Sequence, residues 1–366
     1  MNKITTFSPN WNSAPGNTIK EILNEKGIPK SEFAQRMGIT NNNIDKLLVG
    51  EIVIDFEIAE KLRCILGSSV DFWVNRESFY RSNLKRQEQE KIEWLKNLPV
   101  NDMINLGWIK KTNDIYKTCL DFFDVKDINA WNIKYNLEIS NSFFKKSSTF
   151  YSDKGATAAW LRQGEIIIKN YPCKKWDKEL FIETIEKIKP LTRKKAPKDF
   201  LPEMIKLCSE CGVAVAILPT PTGCRASGAT KFISNEKALL MLSFRYLSDD
   251  HFWFTFFHEA GHLVLHDKKI VRLESIEKKE YMGDEENEAN IFAAETLIPY
   301  AFHDSLRKLK RNKRDIISFA NYLGISPGLI VGQLQYLGII KYSYLNGYKR
   351  RYDWGDINSV FRAIHE

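Results

Sequence analysis

The sequence predicts an α+β protein of mostly helical make-up, and three observations carry that expectation. Apolar residues recur at helical spacing over most of the chain. Strand-like runs are confined to residues 213–218, 230–233 and 238–244. These runs are followed by helices and do not alternate with them, which argues against repeated βαβ units. At 366 residues the chain is long enough for two domains, or for one large domain with an appendage.

The first eighty or so residues read as short helices punctuated by Gly27, Gly38, Gly50 and Gly67. A charged stretch, residues 81–91, suits an exposed connecting helix and sets the first boundary, giving an N-terminal all-α domain over 1–82. A helical connecting region follows over 83–150, with Phe122, Phe123 and Trp131 as core contacts. Residues 151–345 form the second domain, in which Trp160 and Leu161 belong to the core and which holds the small sheet. Residues 346–366 form a tail.

Composition narrows the classes. Hydrophobic residues make up 43% and charged residues 27%, which excludes wholesale disorder. Lys and Arg number 54 against 46 Asp and Glu, a net charge of +8 that permits contact with phosphate without requiring it. No run reaches the roughly 18–20 apolar residues of a membrane span, and the N-terminus lacks an apolar signal core, so a cytoplasmic protein with no membrane partner is expected. Six thinly spread cysteines read as free thiols in a reducing compartment.

Within the N-terminal domain, Ala34, Gly38, Ile44 and Leu47 occupy positions five, nine, fifteen and eighteen of a twenty-residue helix-turn-helix frame. Ala34 lets two helices cross closely, Gly38 suits the positive φ of the turn, and Ile44 and Leu47 point the second helix inward. Thr40 is placed to cap that helix, and Asn41, Asn42, Asn43 and Lys46 lie where a recognition helix meets the major groove. The alternative is a bundle used for dimerisation or partner binding, which Asp45 and Glu51 favour. From Pro15-Gly16 to Phe72-Trp73-Val74-Asn75 the chain resembles the repressor-type helix-turn-helix domains of the HigA antitoxin group, from whose pattern Asp45 and Glu51 depart. The resemblance implies an operator in double-stranded DNA, a homodimer on paired half-sites and a toxin partner.

The most specific signal is His258-Glu259-Ala260-Gly261-His262, an H-E-x-x-H motif in an apolar helix that starts near Asp249-Asp250. Four residues apart on a helix, both imidazoles reach one Zn²⁺, and Glu259 is placed to act as general base on water activated by the metal. A third ligand is expected from residues 283–299. There Ala289, Phe292, Ala293 and Thr296 form a packing stripe with Glu285 and Glu288 along its edge. Leu265 and Lys268 stand where a metzincin extension needs glycine and histidine. His266 reads as a helix-end histidine outside the ligand set.

The segment 254–266, the run Glu288-Ala289-Asn290-Ile291-Phe292-Ala293 and the closing Leu297-Ile298-Pro299 resemble the ImmA/IrrE family of metallopeptidases. Ser227-Gly228-Ala229-Thr230 and Leu242-Ser243-Phe244-Arg245 share the likeness. The resemblance implies a zincin-like fold over roughly 150–345 and one zinc per chain. It places the third ligand at Glu288, with Glu285 as fallback. It also implies cleavage of a repressor or other protein partner in a stress, mobile-element, phage-defence or toxin-antitoxin setting. The expected protein is thus a transcription regulator with a zinc endopeptidase domain. The alternative is an antitoxin-like repressor that uses the metal fold as a sensor or platform without proteolysis.

Other signals are weaker. The strand at 238–244 is either an edge that holds an extended substrate or an interior strand. Tyr281, Tyr300 and His303 are candidates for stabilising an oxyanion. Cys208 and Cys211 have C-x-x-C spacing without a completing pair. Ala320, Gly324 and Ile330 repeat the helix-turn-helix spacing behind a basic run at 307–314, as a second DNA unit or as a packing scaffold.

Overall fold

The structure, a computed structural model, describes residues 13–143, 154–266, 272–275 and 284–365. The chain divides between Trp94 and Leu95 into two compact units.

The first unit is helical: α1 (Pro15–Lys26), α2 (Lys30–Met37), α3 (Asn41–Leu48), α4 (Phe56–Leu66) and most of α5 (Val70–Lys96). Ile19, Phe33, Met37, Ile44, Leu47, Leu62 and Trp73 close its core. Gly38 ends α2 at φ 69°, a left-handed turn that a side chain would strain, and Thr40 Oγ1 accepts from Asn43 N at 3.3 Å to start α3. Gly16 lets α1 touch α3, since a Cβ there would lie 2.1 Å from Leu48 O. The charged stretch 81–91 continues α5 as one helix.

The second unit begins with α6 (Val100–Asn105), α7 (Ile115–Phe123), α8 (Ile128–Phe143), α9 (Lys154–Ile168), α10 (Lys178–Ile188) and α11 (Pro197–Glu210). The strands are β1 (Val213–Ile217), β2 (Ala226–Ser234), β3 (Lys237–Leu242) and β4 (Arg272–Ser275), in the order β1-β3-β2-β4. β1 runs parallel to β3, while β2 is antiparallel to both β3 and β4. Successive side chains alternate faces, so Val213, Val215 and Ile217 join the core under α11 and α12 (Asp249–Leu265). Ala214, Ala216 and Met241 face α9 with Trp160 and Leu161. Covered on both sides, β1 is apolar throughout and β3 is apolar from Ala238 onward, the pattern of a strand between two helical layers. β3 is interior, which settles the edge-or-interior alternative.

The remaining helices are α13 (Asp284–Leu297), α14 (His303–Lys308), α15 (Lys313–Leu323), α16 (Pro327–Tyr336) and α17 (Trp354–His365). α15 and α16 meet at 105°. α16 is a scaffold element: Leu329, Ile330, Val331 and Leu334 are buried, and Gly328 and Gly332 press against Asp249 and Asp250 of α12. It presents no exposed recognition face. Among the described residues no single helix is long and apolar enough to cross a membrane.

Candidate metal centre

α12 carries the centre, and its start is tied down by buried polar groups. Asp249 Oδ2 accepts from Ser326 Oγ at 2.8 Å, and Asp249 Oδ1 accepts from Arg350 N at 3.0 Å. Burial pushes the Asp249 carboxyl up to about 6, helped by the neighbouring charge of Asp250. Asp250 accepts from Ser248 Oγ at 2.7 Å and pairs with Lys349 at 2.6 Å. Further along, Phe252, Trp253, Phe256 and Phe257 anchor one side of the helix in the core. That anchoring turns His258 and His262 toward α13.

The two histidines are each 1% exposed, and their Nε2 atoms lie 3.0 Å apart. Glu286 brings one carboxylate oxygen to within 3.3 Å of each Nε2. Atoms that sit about 2.1 Å from one tetrahedral centre are about 3.4 Å from each other, so these three side chains have the spacing of ligands to a common ion.

The outer ring nitrogens fix the protons. Glu288 Oε2 stands 3.0 Å from His266 Nε2, and a carboxylate only accepts, so that nitrogen carries hydrogen. Neutral His266 therefore presents a lone pair at Nδ1, which accepts from His262 Nδ1–H at 3.0 Å. Asn290 Oδ1 lies 3.0 Å from His258 Nδ1 and accepts from it in the same way. Both Nε2 lone pairs then point at the same place. Two lone pairs and a carboxylate facing each other in a buried site repel unless a cation lies between them, and this N,N,O donor set suits zinc.

Protonation agrees with that reading. Burial works to raise the Glu286 carboxyl, but the hydrogen bonds and charge of His258 and His262 outweigh it and hold it down to about 2. Burial also lowers the His262 imidazole, against the opposing pull of Glu286. The lowered His262 favours the neutral imidazole that binds metal, while the depressed Glu286 reflects positive charge at the two Nε2 atoms, the place a cation would take.

Glu259 is fully buried beneath β2. A Cβ on Gly228 would lie 2.5 Å from Glu259 Oε1 and 2.7 Å from Thr255 Cγ2, so only glycine fits over this carboxylate.

The structure thus brings together His258 and His262 as expected from sequence, with a different third carboxylate. Glu288 lies against His266, Glu285 is exposed, and the carboxylate that stands with His258 and His262 at the spacing of metal ligands is that of Glu286. The reason is rotational. Ala289, Ala293 and Leu297 are the buried face of α13, and Glu286 lies three and seven residues before the two alanines on that same face. Glu288, about 100° round from Ala289, points aside. The alanine spacing was the signal that identifies Glu286.

Of the other candidates, Tyr300 is 78% exposed. His303 Nε2 lies 3.0 Å from Ile298 O, so it secures the end of α13. Tyr281 lies outside the described residues. Cys208 and Cys211 are buried, with Cys211 Sγ 3.1 Å from Thr184 Oγ1. Burial pushes both thiols up, away from metal or redox use. In the first unit Thr40, Asn41, Asn42 and Lys46 are exposed at the start of α3 and Asn43 is half-buried. Asp45 is paired with Lys30, which cancels a charge that phosphate would otherwise meet.

Comparison with known proteins finds two stretches of the chain that match family models. Residues 214–334 match the peptidase M78 family, described as the IrrE N-terminal-like domain, and residues 19–73 match the helix-turn-helix family. An uncharacterized HTH-type transcriptional regulator, YddM of Escherichia coli (strain K12), is 38% identical over 61 residues. That alignment covers 17% of this chain and 65% of the relative.

Proposed function

From a chain that carries a helix-turn-helix DNA-binding domain and an IrrE-like peptidase-family domain, we propose a transcription regulator that is also a zinc-dependent endopeptidase cleaving a repressor or partner protein. His258, His262 and Glu286 hold the zinc, and Glu259 is the general base. The convergence of both Nε2 atoms and the Glu286 carboxylate on one point, with each outer nitrogen already committed, is the observation that carries this reading.

Zinc bound there supplies Lewis acidity, which acidifies water and polarises an amide carbonyl. Glu259 takes the proton of the attacking water at Oε1 and returns it to the departing amide nitrogen. Gly228 packs over that oxygen without a side chain of its own. Asn290 and His266 keep the imidazoles turned so that their lone pairs face inward.

In the first unit, Thr40, Asn41, Asn42, Asn43 and Lys46 form the contact with double-stranded operator DNA. The asparagines read base edges and Lys46 meets phosphate. A homodimer on paired half-sites fits this arrangement.

Replacing Glu259 by Gln tests the peptidase. The variant should keep its zinc and lose cleavage of proteins encoded beside it, assayed as purified pairs. Cleavage at the wild-type rate by the variant would overturn the assignment of the base.

A further inference from the structure

A cavity of about 140 Å³ opens beside the metal centre. Its walls are Phe254, Leu297, Ile298, Leu329, Tyr336 and Tyr342. Resting on the peptidase reading above, we propose that this cavity is the substrate subsite that receives a large apolar side chain, of the size of leucine or phenylalanine, from the polypeptide being cut.

Position is the first argument. Phe254 lies one turn before His258 on α12, their rings 6.5 Å apart. Ser227, which also lines the cavity, directly precedes the glycine packed over Glu259. α12 and α13 run in opposite directions, with His262 against Glu286 and His258 against Asn290. Continued along the pair, the same two helices wall the cavity with Phe254 on one and Leu297 on the other. A peptide held at the metal therefore has this cavity as the neighbouring recess for a side chain.

Charge is the second argument. The charged groups in the wall, Asp250 and Lys349, are each 7% exposed and bonded to each other at 2.6 Å. Lys349 Nζ also donates to Gln335 Oε1 at 2.6 Å, and Gln335 Nε2 donates to the carbonyls of Tyr342 and Tyr344. These groups satisfy one another and offer no free charge. The other polar lining groups, Ser227, His251, Thr255 and Gln333, carry no carboxylate or ammonium, so a charged side chain entering the cavity would lose water without meeting a free opposite charge, whereas an apolar one gains aromatic contact. A volume of about 140 Å³ suits a branched aliphatic or aromatic residue, which a short side chain would not fill.

The test uses the full-length, zinc-loaded protein and hydroxamates, which chelate zinc, as probes. Acetohydroxamate reports the metal alone. Three peptidyl hydroxamates that differ only in carrying Leu, Ala or Asp beside the chelating group report the cavity. The Leu compound is expected to bind roughly tenfold or more tighter than the Ala and Asp compounds. That preference should shrink to within about twofold in Gln333→Trp, which fills the cavity from its wall. It should also weaken in Tyr336→Ala, a change at a 45% exposed residue, with acetohydroxamate binding as the check that each variant keeps its metal. Equal binding of the three compounds to a protein that does bind acetohydroxamate would overturn the subsite and leave the metal reading intact. An undiminished preference in both variants would overturn it too. Failure of acetohydroxamate itself to bind would remove the metal reading and the subsite with it.

Discussion

Gly228 and Glu259 are packed so closely that a Cβ on the glycine would lie 2.5 Å from the carboxylate Oε1. The strand therefore positions Glu259, the proposed general base, by direct contact, while the proposed metal ligands His258, His262 and Glu286 are positioned by helix packing. Gly228→Ala should displace Glu259 and leave the ligands in place. The expected result is a fall in peptidase turnover of roughly 100-fold, the size associated with a misplacement of about 1 Å, with zinc content unchanged. Turnover measured beside elemental analysis checks both halves, and full activity in the variant would refute the contact as a constraint.

His266 contacts the outer nitrogen of His262, and in the proposed zinc site it would act on the metal through that ring. His266→Ala removes the acceptor that fixes the His262 proton, and its loss should weaken zinc affinity about 10–100-fold. At saturating zinc the variant should still bind one ion. Titration against a chromogenic chelator reads affinity and stoichiometry together. Unchanged affinity would show that His262 holds its orientation without help.

Asp249 gives a pH signature. Its carboxyl rises from 3.8 to about 6 on folding, mainly through burial. A group whose pKa is raised in the folded state contributes stability that is fully present below the unfolded value and lost as pH rises through the folded one. The second unit should therefore lose stability between about pH 4 and pH 6, by roughly 3 kcal/mol at most. Asp249→Asn removes the titration and keeps one of the two carboxylate oxygens, enough to go on accepting from Arg350 N while its amide N–H faces Ser326 Oγ. The melting temperature of the wild type relative to this variant should decline across that interval and be flat above it. A difference that does not change with pH would contradict the buried carboxyl.

In the DNA-binding unit, Asn42→Ala with Lys46→Ala should abolish preference for the operator. Lys46→Ala alone should lower affinity for all sequences and reduce the salt dependence by about one phosphate contact. Gel shifts on operator and scrambled DNA over a salt series separate the two effects. Specific binding retained by the double variant would move recognition away from α3.

The parts legible in sequence were those encoded by local spacing. Ala34, Gly38, Ile44 and Leu47 mark the two helices and their turn, and His258 and His262 mark one face of α12. Glu286, the proposed third ligand in place of the Glu288 expected from sequence, did not stand out because three carboxylates, Glu285, Glu286 and Glu288, share one turn. Choosing among them requires the rotation of α13 about its own axis. That rotation is set by tertiary contact, with Gly261 leaving room for Phe292, whose Cδ1 would lie 3.0 Å from a Cβ at that position. β4 gave no signal because Arg272, Leu273, Glu274 and Ser275 form a strand only by bonding to β2. The tail looked uninformative for a similar reason. Lys349 and Arg350 gain meaning only where they meet Asp250 and Asp249, about a hundred residues away in sequence.

The central claim is that His258, His262 and Glu286 form a zinc site, and the most direct measurement is zinc content and affinity in three proteins purified alike: wild type, Glu286→Ala and Glu288→Ala. About one zinc per chain is expected in the wild type, with the ion lost from Glu286→Ala and retained, more weakly bound, by Glu288→Ala. Retention by Glu286→Ala with loss from Glu288→Ala would transfer the ligand role to Glu288. A wild type that takes up no zinc when it is supplied would contradict the site itself.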